Sequence, residues 1–183
     1  SYRYPVETFN TNVLGTVNIL EAARESKSLK VILVVTSDKC YQNIETNYAY
    51  KENDKLGGND PYSSSKACAE HVSRSFYKSY FRKDEIGLAT ARSGNVIGGG
   101  DWSSDRLIPD IIRSWAKNES VIIRSPNSIR PWQHVMEPIY GYLKLIENLW
   151  ENPFNYSGGW NFGPNSDNFK NVLNIVKLSQ QFW

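Results

Sequence analysis

The sequence predicts an α/β domain built on a parallel sheet. Two apolar runs rich in residues that favour strands, at 30–36 and 86–91, are each preceded by a segment with helical spacing. A long polar stretch separates the first strand from the second helix, and a glycine-rich stretch follows the second strand. Helix, strand, loop, helix, strand is the order a parallel sheet needs, because parallel neighbours are joined by a crossover.

Pro5 suits the first turn of a helix, where its missing N–H would have no acceptor. Phe9, Val13, Val17 and Leu20 then recur at helical spacing, and this helix is predicted to run to about Ser26. Lys30 to Thr36 is a continuous run, the pattern of a strand buried on both faces. Asp38 to Asp60 is polar and contains Gly57-Gly58, so it reads as a loop; one this long inside a compact domain is usually functional. Pro61 opens a second helix, with Val72, Phe76 and Tyr80 four apart, extending to about residue 83. Ile86 to Ala91 is a second strand and Gly94 to Gly100 a turn region. Past residue 100 the pattern loosens. Helices are predicted at Leu107–Ala116, Pro138–Trp150 and Val172–Phe182, and short strands at Val121–Arg124 and Trp160–Phe162.

The chain has 183 residues, 40% hydrophobic and 22% charged, enough for one domain with a proper core. A net charge of +2 with scattered basic residues does not point to nucleic acid. No apolar run approaches the ~20 residues of a membrane span, and no signal peptide opens the chain. Cys40 and Cys68 lack any CxxC or neighbouring His pair, so they read as free thiols of a cytoplasmic protein; no metal-ligand spacing is present. With no initiator Met and an end inside an apolar-periodic segment, the chain reads as an internal fragment.

Chemistry concentrates in the second helix. Tyr62 and Lys66 are four apart in Pro61-Tyr62-Ser63-Ser64-Ser65-Lys66 and share one helix face. A phenol with a pKa near ~10 is a poor base at neutral pH, but a neighbouring ammonium favours the phenolate. Such a tyrosinate can take a proton from a sugar hydroxyl while hydride leaves the same carbon. The first strand ends at Thr36-Ser37-Asp38-Lys39, and open parallel sheets bind ligands at the carboxyl ends of their strands.

Polar residues at a strand end followed by a Tyr-Lys helix resemble the extended short-chain dehydrogenase/reductase family, whose triad is Ser or Thr, Tyr and Lys. Asn12, in Asn12-Val13-Leu14-Gly15-Thr16, matches a helical Asn of that family. Three strings extend the likeness: Leu56 to Lys66, Ala91 to Trp102, and Ile129 to Val135. Ser37-Asp38-Lys39 departs from the Thr-Asp-Glu of most sugar-nucleotide dehydratases. Followed by Cys40-Tyr41-Gln42-Asn43, it looks like the CDP-glucose 4,6-dehydratase branch.

The resemblance implies a Rossmann-like NAD-binding sheet, incomplete here, with NAD as cofactor and the nucleotide sugar CDP-glucose as substrate. Ser37 would bond the substrate hydroxyl, Tyr62 would be the base, and Lys66 would lower its pKa. Asn12, Ser37, Tyr62 and Lys66 would also touch the cofactor. Asp38 would be the acid for water removal, which requires a protonated carboxyl. Lys39 would be the C5 base or, alternatively, only stabilise the enolate. Asn95, Asp101, Trp102, Arg106 and Arg130 would bind the nucleotide sugar, Arg130 through a planar fork suited to diphosphate. Gly98, Gly99 and Gly100 would admit close backbone approach, or simply form a turn. Trp132 could support Arg130 or the base, or belong to the core, while His71 and His134 read as structural.

On this view residues 1–98 are the C-terminal half of the NAD-binding domain and 99–183 an interleaved, partial sugar-binding region. Roughly a hundred residues would be missing in front, at about 30 per βαβ unit. The fragment alone would then bind NAD poorly and be inactive, with an exposed sheet edge prone to self-pairing. Relatives are commonly dimers through the helices at 5–26 and 61–83. The open alternatives are another nucleotide-sugar epimerase or dehydratase of this fold, or a non-catalytic nucleotide-binding fragment.

Overall fold

A computed structural model describes residues 1–44, 46, 48–165 and 169–183, so Glu45 and Asn47 of the expected 38–60 loop lie outside it. In chain order the elements are α1 (Pro5–Phe9), a π-helical turn (Asn10–Leu14), α2 (Gly15–Arg24), β1 (Val31–Val35), a 3-10 turn (Asp38–Cys40) and α3 (Pro61–Ser79). A second 3-10 turn (Phe81–Asp84), β2 (Gly87–Ser93), β3 (Val96–Ile97), α4 (Leu107–Ala116), β4 (Ile129–Pro131) and β5 (Gln133–His134) follow. The last elements are α5 (Met136–Glu151), α6 (Pro153–Tyr156), β6 (Gly158–Phe162), β7 (Phe169–Asn171) and α7 (Val172–Gln180). None of the described helices is long and apolar enough to cross a membrane.

Two compact units emerge: residues 1–93 with 139–162, and residues 94–138 with 163–183. The first unit carries a three-stranded parallel sheet in the order β1-β2-β6. Strand periodicity divides its side chains cleanly. Ile32 and Val34 of β1 and Leu88 of β2 pack with Leu20, Phe81 and Ile86 and with Val72 and Phe76 of α3. Val31 and Leu33 of β1 and Ala89 of β2 face the other way, onto Leu145 and Leu149 of α5. Both faces are therefore covered, which explains the unbroken apolar run. β1 is nonetheless only half-buried, and Val35 is exposed, because β1 is the edge of the described sheet.

In the second unit β3 pairs with β5 in parallel and β4 with β7 antiparallel. Here sequence and structure differ. Val121–Arg124 forms no strand: Ile122 is exposed and Arg124 turns to an ion pair with Asp105. Its β propensity finds no neighbouring edge to pair with, and tertiary context decides. The glycine-rich turn instead contains β3, at Val96–Ile97.

Phe81 is 1% exposed at the centre of the α2–α3 core. Phe81→Ala should cost about 3–5 kcal/mol of stability, read as a lowered urea midpoint with an unchanged slope.

Candidate active site

The carboxyl end of β1 passes directly into the first candidate segment. The Thr36 amide still donates to the Ala91 carbonyl of β2, at 2.8 Å. Ser37 then caps the 3-10 turn. Its Oγ accepts from the Lys39 amide at 3.3 Å and donates to Asp38 Oδ1 at 3.1 Å. Beyond the turn the loop is tied back on itself. Gln42 N donates to the Lys55 carbonyl at 2.9 Å and Gly57 N to the Cys40 carbonyl at 2.8 Å.

This returns the chain to the start of α3. Asp60 caps that helix, accepting from the Tyr62 and Ser63 amides at 2.9 and 3.1 Å and from Ser63 Oγ at 2.6 Å. Burial works against the Asp60 charge, but the Ser63 and Tyr62 hydrogen bonds prevail and hold the carboxyl below its usual value. Gly58 is required here, since any Cβ would strike the Ser63–Ser64 backbone.

Turn and helix together bring two cations to one phenol. Lys66 Nζ lies 5.9 Å from the centre of the Tyr62 ring and Lys39 Nζ lies 6.0 Å from it. Burial pulls the Lys66 ammonium below its ordinary 10.5. Asn12 joins from the π-helical turn: its Nδ2 donates to Ser65 Oγ at 2.9 Å, and Ser65 Oγ donates to the Tyr62 carbonyl at 2.7 Å. Asn12, Ser37, Asp38, Lys39, Tyr62 and Lys66 thus gather in the first unit. Cys40 sits beside them but is fully buried, and burial first, then the Glu70 charge, pushes its thiol up to about 12. It is no base at neutral pH.

Asn95, Asp101, Trp102, Arg106 and Arg130 belong to the second unit. The Asn95 carbonyl accepts from Gln133 N at 3.2 Å, beside the β3–β5 pair. Asp101 accepts from Ser103 N at 3.0 Å, which holds its carboxyl below the usual range, and lies 4.0 Å from Arg106. Trp102 is exposed, and its carbonyl accepts from Arg113. Arg130 stands exposed on β4, donating to the Ile129 carbonyl at 2.8 Å. Gly98 abuts Val135, whereas Gly99 and Gly100 face open space. Trp132 donates its indole N–H to the Lys170 carbonyl.

Sequence reasoning missed a buried polar group next to the Asp38–Cys40 turn. Arg92 Nη2 meets Glu70 Oε2 at 2.5 Å, with both side chains about 95% shielded from solvent. Thr36 and Thr90 donate to the same carboxylate, and Arg92 also donates to the Tyr41 hydroxyl at 2.8 Å. The signal was present: Glu70 continues the stripe of Tyr62 and Lys66 at a further four residues, and Arg92 ends an apolar strand. Opposite charges at two core positions imply a pair, since a lone buried ion is prohibitively costly.

The sequence pattern of the NAD dependent epimerase/dehydratase family matches residues 1–156. CDP-glucose 4,6-dehydratase of Salmonella typhimurium is 50% identical over 188 aligned positions, which take in all of this chain and 52% of that protein. dTDP-D-glucose 4,6-dehydratase of Dictyostelium discoideum is 26% identical over 96% of this chain and 42% of its own length. A crystal structure of dTDP-glucose 4,6-dehydratase from Bacillus anthracis in complex with NAD superposes with a TM-score of 0.75 at 25% identity, over 92% of this chain and 51% of that one. UDP-galactose 4-epimerase gives a TM-score of 0.82 at 19% identity, over 97% and 55%, a likeness of fold. The fold is therefore the Rossmann-type parallel sheet, and the chain spans about half the length of the relatives it matches.

Asp60→Ala should cost about 1 kcal/mol through loss of the cap. Asp60→Asn keeps the cap but removes a titration. The folded carboxyl lies below its unfolded value of 3.8, so its contribution is present above that pH and is lost as pH falls through the folded value. Urea midpoints measured across this window should converge for wild type and Asp60→Asn at the acid end.

Proposed function

Because this chain belongs to the NAD dependent epimerase/dehydratase family, we propose that it carries the reactive residues of a CDP-glucose 4,6-dehydratase, converting CDP-glucose to CDP-4-keto-6-deoxyglucose and water. The observation that carries this reading is the Ser37-Asp38-Lys39 turn beside Tyr62 and Lys66, with both ammoniums about 6 Å from the phenol ring. An epimerase needs no acid and base beyond the tyrosine and its lysine, whereas an elimination does. The 50% identity to a protein of that activity favours the same substrate.

The donor set suits the nicotinamide end of NAD. Ser37 at the strand end, and Tyr62 with the half-buried Lys66 ammonium on α3, offer hydroxyl, phenol and ammonium groups fitted to ribose hydroxyls and a carboxamide, while the Asn12 amide is bonded to Ser65 of the same helix. When bound, NAD+ supplies the acceptor for the C4 hydride and the donor that returns it to C6.

Tyr62, with the Lys66 ammonium beside its ring, takes the C4 hydroxyl proton as that carbon is oxidised, and Ser37 holds the oxygen. The resulting 4-keto group acidifies the C5 proton. Lys39 removes that proton while Asp38 gives one to the departing C6 hydroxyl, so water leaves and a C5–C6 double bond forms. Lys39 then returns its proton to C5, and the hydride that NAD would give back to C6 would leave no net change of redox state. Asn95, Asp101, Trp102, Arg106 and Arg130 are the residues we assign to the nucleotide sugar, Arg130 to its diphosphate. On this reading residues 1–98 are the C-terminal half of the NAD-binding domain and 99–183 a partial sugar-binding region interleaved with it. A cytoplasmic homodimer joined through α1–α2 and α3 is the assembly this reading carries.

The test uses the full-length polypeptide that contains this chain, incubated separately with CDP-glucose, dTDP-glucose and GDP-mannose and followed by NMR. A 4-keto-6-deoxy sugar from CDP-glucose alone is expected. A C4-epimerised product, or product from another nucleotide only, would overturn the assignment. Asp38→Asn and Lys39→Met should each slow water loss about 10²–10⁴-fold while C4 oxidation persists; wild-type C5 exchange in Lys39→Met would remove Lys39 as base.

A further inference from the structure

We propose that Glu70, Arg92 and Tyr41 are positioning residues that set the Ser37–Cys40 turn against Tyr62 and Lys66, an inference that rests on the elimination chemistry assigned to that turn. The geometry lies in how the turn is anchored. Thr36 immediately precedes it and donates its hydroxyl to Glu70 Oε1. Tyr41 immediately follows it and accepts from Arg92 Nη1 at 2.8 Å. Glu70 and Arg92 are themselves joined at 2.5 Å, so both ends of the reactive turn hang on a single ion pair.

The same pair is fixed to the helix that bears the base. Tyr62, Lys66 and Glu70 follow at intervals of four along α3 and lie on one face. Lys39 in the turn and Tyr62 on the helix are therefore referenced to one anchor. A shift of the ion pair would alter the 6.0 Å between the Lys39 ammonium and the Tyr62 ring.

Tyr41 is held from its other side as well. Its hydroxyl donates to Asn161 Oδ1 on β6 at 2.6 Å, and its ring stacks on Tyr50 with centres 4.9 Å apart and planes at 9°. Burial raises the Tyr41 pKa against the opposing pull of Arg92, keeping the phenol protonated and able to donate. Glu70, Arg92 and Tyr41 are each 4–5% exposed, so none of them reaches a bound sugar and none acts as an acid or base. Gly159 completes the arrangement, because any Cβ there would occupy the place of the Arg92 guanidinium.

Tyr41→Phe tests this with little disturbance, since it deletes one oxygen and keeps the ring stacked. Thr36→Val deletes the anchor at the other end of the turn. Both are made in the full-length polypeptide and read in two ways. Amide hydrogen exchange, which needs no substrate, should quicken about tenfold at residues 39–42 in Tyr41→Phe while the amides of β2 stay protected. Rapid-quench analysis with CDP-glucose should show water loss slowed about ten- to a hundredfold, with C4 oxidation within about twofold of wild type, as expected for a small misplacement of an acid–base pair.

Unchanged exchange at residues 39–42 in both variants would overturn the proposal. So would quickened exchange throughout β2, which would mark the network as general scaffolding, or equal slowing of oxidation and elimination. If the wild-type protein left CDP-glucose unchanged, the substrate reading would fail, and the exchange data would still decide whether the network positions the turn.

Discussion

Glu70 and Arg92 face each other at 2.5 Å in a place from which water is excluded. Two ions in such a setting cost several kcal/mol each in lost hydration, and mutual attraction offsets that only when the remaining donors and acceptors are also satisfied. Here nearly all of them are. Glu70 receives Thr36 and Thr90 as well as Arg92, and Arg92 reaches Tyr41 and the Glu52 carbonyl. Among the described residues, Arg92 Nε is the one buried side-chain polar atom without a partner. The arrangement joins β1, β2, α3 and the loop after β1 at one level of the sheet. Removing either partner would leave the other charge buried and unmatched, which is strongly destabilising, so the pair holds these elements at the level of Ser37, Asp38 and Lys39.

The sheet shows how that level arises. On the face toward α3, the side chains of β2 change from Leu88 to Thr90 to Arg92, and those of β1 from Ile32 and Val34 to Thr36. Period-2 alternation keeps all of these on one side. Apolar packing thus holds the amino-terminal part of the strands, and polar bonding takes over toward their carboxyl ends. The site begins where the core stops being hydrocarbon.

Much of the first unit was legible in the sequence. Pro5 and Pro61 marked helix starts, the apolar runs marked β1 and β2, and the four-residue spacing of Tyr62 and Lys66 placed both on one face. These signals are local, and local chemistry decides them. What escaped notice depends on partners far along the chain. Glu70 and Arg92 meet across 22 residues and Tyr41 and Asn161 across 120, and neither contact has a periodicity of its own. The loosely patterned second unit misled for the same reason. Val121–Arg124 has strand-forming composition, yet β4 forms at Ile129–Pro131 because β7 lies beside that segment. Ser37, Asp38 and Lys39 were readable as polar residues at a strand end, but the distance of Lys39 from Tyr62 came only with the loop's return to Asp60.

The π-helical turn at Asn10–Leu14 carries a constraint of a different order. The Gly15 amide bonds to the Asn10 carbonyl, five residues back, so this turn holds one residue more than its neighbours. Asn12 lies within it and is aimed at Ser65. Removing one residue would let the segment relax into ordinary α-helix, a locally favourable change. The flanking turns would keep their phase, because the wide turn had absorbed the extra residue, and what would be lost is the offset that aims Asn12 at Ser65. A single deletion here therefore spares the seat of Leu20 and strikes the Asn12 contact, whereas the same deletion within the regular turns of α2 would rotate every residue beyond it by about 100°.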